Sequence, residues 1–291
     1  MITIDRPEDP RLAAYCGMTD AALRRAIDIE GGVFVVEGAR ALRQLIDAGW
    51  PLRSVLLRTE KVEAMRDVVT AAERGGAPVY VAGQAVFDRV AGFPVHRGVL
   101  ALADRRAEAD PGELISRSRI LLIVEGVNDH ENLGALFRNA AALGAEAVLL
   151  DPSTCDPLYR RAVRVSVGHV LRVPFARLTP WPESLRKVTD DGYDLLALSP
   201  MADATLDELT ALGRFTSAPG RLALLVGAEG PGSPTRPWRR LLMSSASPWP
   251  AVQTRSTSPP PPLSPCTGSY RSTALLAPPL PAPAPPPRVM P

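Results

Sequence analysis

The sequence predicts an α/β protein of two domains, followed by a C-terminal segment of different composition. Short apolar runs of strand length alternate with segments whose apolar residues recur at helical spacing. Some of these runs, such as residues 120–124, are continuously apolar, which is typical of parallel strands covered on both faces. A chain of 291 residues accommodates two domains of this kind.

The first domain is predicted over residues 1–105 as a small α/β sandwich. Its strands are expected at residues 33–36, 52–57, 78–81 and 99–103. Its helices are expected at residues 19–30, in the stretch that ends at Gly49, and at residues 62–74 and 84–90. Residues 106–118 are charged and contain Pro111-Gly112, so they are predicted to be a linker.

The second domain is predicted over residues 119–232 and opens with a β-α-β unit. After the strand at 120–124, apolar residues recur at helical spacing until Gly144, and a strand follows at 147–150. The remaining elements are expected as strands at 168–174, 193–198 and 221–226, and as helices at 181–189 and 206–212. Polar residues at the first strand-to-helix turn predict a site there, because open parallel sheets build sites at the carboxyl ends of their strands.

Asn132 and Arg138 are the polar candidates in this unit. On spacing alone, a helix cap at Asn132 and an exposed arginine at position 138 is the simpler interpretation, because Asn is a common cap. A second candidate is the turn from Gly227 to Gly232, which follows the last buried-type strand. Its glycines allow a close backbone approach to a cofactor, but it lacks the G-x-G-x-x-G dinucleotide fingerprint and is weak evidence alone.

Taken together, the sequence motifs in these stretches closely resemble those of the SpoU family. Asn-x-Gly-x-x-x-Arg-x-Ala occupies residues 132–140, Arg-Val-Ser-Val-Gly residues 164–168 and Gly-x-Glu-Gly-x-Gly residues 227–232. SpoU proteins are S-adenosylmethionine-dependent RNA ribose 2′-O-methyltransferases of the SPOUT class, whose α/β fold contains a trefoil knot. The first domain, through residues 34–38 and 96–101, resembles the L30e-like substrate-binding domain that precedes SpoU catalytic domains.

The resemblance implies 2′-O-methylation of ribose in rRNA or tRNA, with S-adenosyl-L-methionine as cofactor. It implies three catalytic residues, of which Asn132 and Glu229 fix the site through hydrogen bonds. Arg138 has two implied roles, binding an RNA phosphate and assisting deprotonation, and the first is favoured because a guanidinium is almost always protonated and a poor base. The cofactor would be held by backbone groups in the turns at Leu198 and from Gly227 to Gly232. The family also forms homodimers, which is doubtful for this chain because of its C-terminal segment.

The net charge of +2 is no evidence for RNA binding, because residues 233–291 contain six arginines and no acidic residue, while residues 1–232 are acidic overall. RNA contacts are therefore expected from local clusters. The best cluster is Arg160, Arg161 and Arg164, although a solvated helix face would look the same. His96 and Arg97 are further candidates, and a polar turn before a strand explains them equally well.

Several other classes of protein are not favoured. No apolar run approaches the roughly 18 residues of a membrane span, and the N-terminus lacks the apolar core of a signal peptide. The three cysteines, Cys16, Cys155 and Cys266, have neither metal-ligand nor disulfide-framework spacing, and the three histidines are dispersed. The sequence therefore predicts a cytoplasmic protein without a metal site.

After Gly232 the chain changes character. Residues 233–291 hold 17 of the 31 prolines, a composition typical of disorder. A SpoU protein should have a third signature here, an Asn-containing helix after Ile-Pro-Met, which binds cofactor, completes the knot and forms the dimer face. With GC-rich codons, residues 253–259 can be read in a shifted frame as Asp-Ser-Leu-Asn-Val-Ala, and residues 247–250 as Pro-Met-Ala. We therefore predict a frameshift close to Gly232, a truncated catalytic domain and an incomplete knot.

Two alternatives remain open from the sequence. The first is a catalytically inactive RNA-binding protein, because the third signature is missing. The second, less favoured, is a nucleotide-binding oxidoreductase that uses the turn after Gly227.

Overall fold

The computed structural model describes residues 1–18, 26–92, 98–198, 204–205, 208, 220–227 and 252–253. These residues build two five-stranded sheets and belong to one compact unit, Met1–Arg255. The predictions made for residues 206–212, except 208, and for residues 233–291, except 252–253, lie outside this description. So does most of the helix predicted at residues 19–30, of which only the π-helical Ala26–Glu30 is described.

The strands of the first sheet are β1 (Ile2–Ile4), β2 (Val33–Glu37), β3 (Leu52–Arg58), β4 (Val79–Ala82) and β5 (Val99–Asp104). The sheet is mixed and has the strand order β1-β4-β3-β5-β2. β5 runs antiparallel to both of its neighbours, whereas the other pairs are parallel. The helices are α1 (Ala39–Asp47), α2 (Arg66–Arg74) and α3 (Gln84–Ala91). The edge strand β1 was not predicted, because three residues are too few to show a period.

The strands of the second sheet are β6 (Ile120–Glu125), β7 (Ala147–Leu150), β8 (Phe175–Arg177), β9 (Tyr193–Ala197) and β11 (Arg221–Gly227). This sheet is entirely parallel and has the strand order β8-β7-β6-β11-β9. Its helices are α4 (Pro111–Arg117), α5 (His130–Leu143), α6 (Arg160–Val165) and α7 (Leu185–Asp190). Two further short strands, β10 (Ala204–Thr205) and β12 (Val252–Gln253), pair in parallel with each other. The predicted α/β class with a parallel second sheet is confirmed, whereas the knot depends on residues that the structure does not describe.

Three element predictions were wrong in detail. The strand predicted at residues 168–174 is a turn, since Gly168 has a φ of 86° and its carbonyl accepts the N–H of Leu171 at 2.9 Å; the strand lies at β8. The helix predicted at residues 181–189 is shorter, because the two turns around Pro180 and Pro182 delay its start to Leu185.

The third correction concerns the predicted linker, which contains α4. Asp110 caps this helix by accepting the N–H of Glu113 at 2.9 Å, and Pro111 occupies its first turn. Leu114 and Ile115 are fully buried in a core layer of the second sheet, so this part of the linker packs with the second domain.

The main apolar core lies between the two sheets and contains residues of both. Phe34, Val36 and Leu57 of the first sheet share it with strand residues of the second, such as Leu122 and Val124. Because the layer is shared, the helices that carry the candidate site residues are held against the first domain. Within the described residues, no helix is long and apolar enough to cross a membrane.

Candidate active site

The helix α5 begins at the carboxyl edge of β6, and Asp129 caps it. One carboxylate oxygen of Asp129 accepts the N–H groups of Glu131 at 2.6 Å and Asn132 at 3.1 Å. These backbone hydrogen bonds lower the pKa of the Asp129 carboxyl. Asn132 is therefore not the cap that its residue type suggested. Its side chain is exposed in the first helical turn, close to the sheet edge where a site is expected.

Gly134 explains the glycine of the same motif, because it lets α5 lie directly on α6. A Cβ atom at this position would be 2.7 Å from the carbonyl oxygen of Ala162 and 3.0 Å from Cβ of Val165. Both contacts are closer than ordinary packing allows. Only a glycine at position 134 therefore lets α5 pack this closely on α6. This packing holds in place the helix that carries both Asn132 and Arg138.

Arg138 lies about 9 Å further along the helix axis than Asn132, at 1.5 Å per residue. Its side chain is exposed and has no hydrogen-bond or ion-pair partner among the described residues. It lines a cleft of about 860 Å³ between the two domains, and Asn132 does not. The structure therefore separates the two residues: Asn132 lies at the sheet edge and Arg138 in the cleft.

The cleft, which we call the interdomain cleft, is strongly basic. Its lining contains the five basic residues Arg40, Arg43, Lys61, Arg138 and Arg164 and the two carboxylates Glu37 and Glu131. Arg40, Arg43 and Lys61 belong to the first domain and were not predicted from the sequence. The available signal was the spacing of Arg40 and Arg43, which places them on one face at the start of α1.

The predicted cluster of Arg160, Arg161 and Arg164 is divided by the fold. Arg160 donates to the Glu37 carboxylate at 2.5 Å, and both side chains are largely buried. Arg164 lies 3.5 Å from the Glu131 carboxylate at the edge of the interdomain cleft. Arg161 is exposed on the same helix. Arg161 is thus exposed and Arg164 lies at the edge of the cleft, whereas Arg160 joins the two domains, and RNA contact by Arg161 and Arg164 stays a prediction.

The candidate cofactor edge is formed where β9 and β11 end side by side. The N–H of Leu198 donates to the carbonyl of Leu225 at 2.9 Å, and Gly227 lies opposite Glu125 in the parallel register. The Glu125 carboxylate accepts the indole N–H of Trp181 at 3.3 Å. Two predicted cofactor residues, Leu198 and Gly227, are therefore neighbours at one sheet edge. The other predicted residues, Glu229, Gly232, His96 and Arg97, lie outside the described residues.

His130 is a further residue of this region that the sequence did not single out. Its imidazole packs on the ring of Tyr159, with 4.2 Å between the ring centroids. Burial lowers its pKa, while the neighbouring carboxylates of Asp156 and Asp129 act in the opposite direction. In the described part of the chain, no group of three or more His, Cys, Asp or Glu side chains is placed to hold a metal ion.

Comparisons with known proteins agree with this geometry. The sequence model of the SpoU rRNA methylase family matches residues 119–240, and that of the RNA 2′-O ribose methyltransferase substrate-binding domain matches residues 35–109. An uncharacterised tRNA/rRNA methyltransferase of Mycobacterium tuberculosis is 38% identical over 227 residues, which cover 78% of this chain and 76% of the relative. The chain belongs to the SpoU family. The activity of this family is S-adenosylmethionine-dependent 2′-O-methylation of ribose in rRNA or tRNA, and RNA is its substrate.

Other similar proteins are more distant in sequence. The 23S rRNA (guanosine-2′-O-)-methyltransferase of Salmonella typhi is 28% identical and covers 68% of this chain and 82% of the relative. The structure of an AdoMet-bound rRNA methyltransferase from Sinorhizobium meliloti has a TM-score of 0.68 at 19% identity, covering 90% of this chain and 92% of that one. The SpoU methyltransferase AviRb from Streptomyces viridochromogenes, in complex with AdoMet, has a TM-score of 0.67 at 18% identity, covering 88% and 92%. These likenesses confirm the SPOUT-type fold, and SpoU membership sets aside the oxidoreductase alternative.

Proposed function

We propose that Arg138 binds the RNA phosphate beside the target ribose, and that the turns after β9 and β11 hold the cofactor. The observation that carries this assignment is the position of Arg138. It is an exposed guanidinium without a partner among the described residues, in a cleft with four other basic side chains. A guanidinium forms bidentate, charge-assisted hydrogen bonds with phosphate, which suits it for holding a nucleotide in place.

When bound, S-adenosylmethionine supplies a methyl group on a positively charged sulfur, which is a good leaving group. The described sheet edge fits this molecule in two respects. Leu198 and Gly227 end neighbouring strands and bring backbone groups together. Leu198 itself belongs to a small apolar cluster with Leu196, Leu222 and Leu224, which extends from the edge along β9 and β11 and offers apolar contact to a weakly polar base.

The protein's own part in the reaction is alignment and proton removal. Asn132 and Glu229 would fix the site by hydrogen bonds, as the SpoU motifs imply. Arg138 orients the RNA and is not the base, because a guanidinium stays protonated in proteins. An RNA 2′-hydroxyl as the attacking group excludes DNA as substrate.

A second candidate function is RNA binding without catalysis. The observation that favours it is the sequence after Gly232, in which the third SpoU signature is not found. This candidate keeps the interdomain cleft and its basic residues but loses methyl transfer. One measurement distinguishes the two candidate functions, the transfer of a labelled methyl group to RNA.

The experiment compares Arg138→Ala with its parent in methyl transfer from labelled S-adenosylmethionine to bulk rRNA and tRNA. The parent is the protein with the reading frame near codon 232 corrected. We expect transfer to fall about 100-fold, the usual cost of losing one preorganised charge contact. The melting temperature should be unchanged, because the side chain is exposed and unpaired among the described residues.

Arg186→Ala is the matched control, since Arg186 is an exposed arginine on α7 at the opposite face of the second sheet. It should transfer methyl groups like the parent. Activity of Arg138→Ala within about threefold of the parent, at saturating RNA and cofactor, would contradict the assignment. If the uncorrected 291-residue chain binds RNA but transfers nothing, while the frame-corrected parent is active, the second candidate is favoured for the uncorrected chain.

A further inference from the structure

The interdomain cleft holds more positive charge than the fold requires. Of its two carboxylates, Glu37 is already paired with Arg160, and Glu131 lies 3.5 Å from Arg164. Of its cations, Arg43 is held by Asp67 and by the carbonyl oxygen of Ala64. The others, Arg40, Lys61 and Arg138, have no partner among the described residues.

These three cations come from both walls of the cleft. Arg40 lies in the first turn of α1 and Lys61 follows β3, both in the first domain, whereas Arg138 lies on α5 in the second domain. Like charges that share a cleft repel each other, so the arrangement costs stability unless an anion is bound there. Two walls with unpaired cations indicate a polyanion that passes between the domains.

The start of α1 adds to the positive electrostatic potential of the cleft. Ala39, Arg40 and Ala41 line the cleft, and the N-cap residue Gly38 has no side chain with which to accept their N–H groups. The first turn of a helix carries a partial positive charge, which favours a phosphate. This contribution supports the cations and would not make a site without them.

We propose that the backbone of the substrate RNA runs through the interdomain cleft, with Arg40 and Lys61 binding phosphates on one side of the target nucleotide and Arg138 on the other. This inference rests on the proposed function in one respect only, that Arg138 lies next to the target ribose. Arg40 and Lys61 are positioning residues. They hold the strand through phosphates and carry no sequence information, so sequence selection must come from other contacts.

The test measures binding of fluorescently labelled bulk tRNA to the full 291-residue chain over a range of salt concentrations. Each phosphate contact releases counterions, so the slope of log K against log salt reports how many contacts exist. For the double variant Arg40→Ala with Lys61→Ala, we expect the slope to fall by about two and the Kd to rise about tenfold. Arg40→Lys keeps its charge and should keep the parental slope.

The control is Arg74→Ala, which removes an exposed arginine of the same domain that does not line the cleft. It should bind tRNA with nearly the parental slope. The inference is overturned if the double variant binds like the parent, or if Arg74→Ala weakens binding equally. It stands if the double variant alone loses binding, even when the parent transfers no methyl group, so its failure is distinguishable from that of the proposed function.

Discussion

Arg138 and Arg160 carry the same guanidinium group in opposite surroundings. The Arg160 side chain is 13% exposed and pairs with Glu37, whose side chain is 8% exposed. Arg138 is exposed in the interdomain cleft. A largely buried ion pair between domains holds structure, because neither charge can lose its partner without a large desolvation cost. An exposed cation in a cleft is available to a ligand.

This contrast gives a prediction for the pair of Arg160 and Glu37. Arg160→Ala should lower the free energy of unfolding by about 3–5 kcal/mol, because it leaves the Glu37 carboxylate unpaired in a largely buried place. Glu37→Ala should also destabilise the protein, because it removes the same ion pair. The double variant should lose less than the sum of the two single losses. Urea unfolding of the four proteins measures this coupling.

Additive losses in that cycle would show that the two side chains do not depend on each other. Arg161→Ala, which removes an exposed arginine of the same helix, is the control and should unfold like the parent. A large loss of stability in this control would mean that any substitution in α6 destabilises the protein. The losses at Arg160 and Glu37 could then not be assigned to their ion pair.

The sequence could not separate these arginines. Arg160, Arg161 and Arg164 form one local cluster, and the residue that pairs with Arg160 lies 123 positions away at Glu37. Local spacing contains no information on such a contact. The same limit applies to Arg40 and Lys61, which face Arg138 only after the two domains have packed together.

At the scale of elements, the packing of α5 on α6 decides where the motif residues lie. A Cβ atom at Gly134 would lie 2.7 Å from the backbone oxygen of Ala162 on α6. A backbone atom cannot move aside as the end of a flexible side chain does. The glycine of the motif is therefore explained by helix packing, not by contact with a ligand.

Gly134→Ala tests this explanation in a clear direction. Helix propensity alone would stabilise the protein by about 1 kcal/mol, because alanine is the better helix former. The contact with Ala162 predicts the opposite, a loss of about 1–3 kcal/mol from overpacking. Thermal melts followed by circular dichroism measure the sign, with Asn139→Ala on the exposed side of the same helix as control. A melting temperature at or above that of the parent would rule out the close contact.

The elements of the β-α-β unit were predictable because each has a strong local signal. The strand at 120–124 is continuously apolar, and α5 has a regular apolar stripe that ends at Gly144. The strand prediction for residues 168–174 was wrong, because the apolar residues there are buried by a turn that packs on α1 and not by a strand. A short apolar run shows burial, and only the glycine conformation shows whether the chain extends or turns.

At the scale of the whole molecule, the two sheets share one core, and the site is divided between its edges. The basic cleft lies between the domains, whereas Leu198 and Gly227 end strands of the second sheet alone. On the proposed assignment, RNA binding and cofactor binding depend on different parts of the chain. A change after β11 is expected to affect the cofactor first and to leave the cleft intact.

The strand β11 shows what such a change would affect. Ala223 and Leu225 are buried on one face, while Leu222, Leu224 and Val226 on the other face are only half-buried. In SpoU proteins the third signature follows this strand and contributes to the cofactor site and the dimer face. Of the 59 residues from 233 to 291, 17 are prolines, which lack the backbone N–H that a helix interior requires, and the third signature is not found among them.

We therefore predict that the 291-residue chain binds S-adenosylmethionine weakly or not at all and forms no SpoU-type dimer, although it still binds RNA. Correcting the one-nucleotide frameshift near codon 232 should restore cofactor binding and the dimer together, because the helix of the third signature serves both. Titration calorimetry with S-adenosylmethionine and light scattering on the two proteins measure these properties side by side. If the 291-residue chain binds the cofactor at micromolar strength and is a dimer, the sequence after Gly232 does not matter and the frameshift hypothesis is wrong in its consequences. If the corrected chain gains only one of the two properties, the cofactor site and the dimer face are built by separate segments.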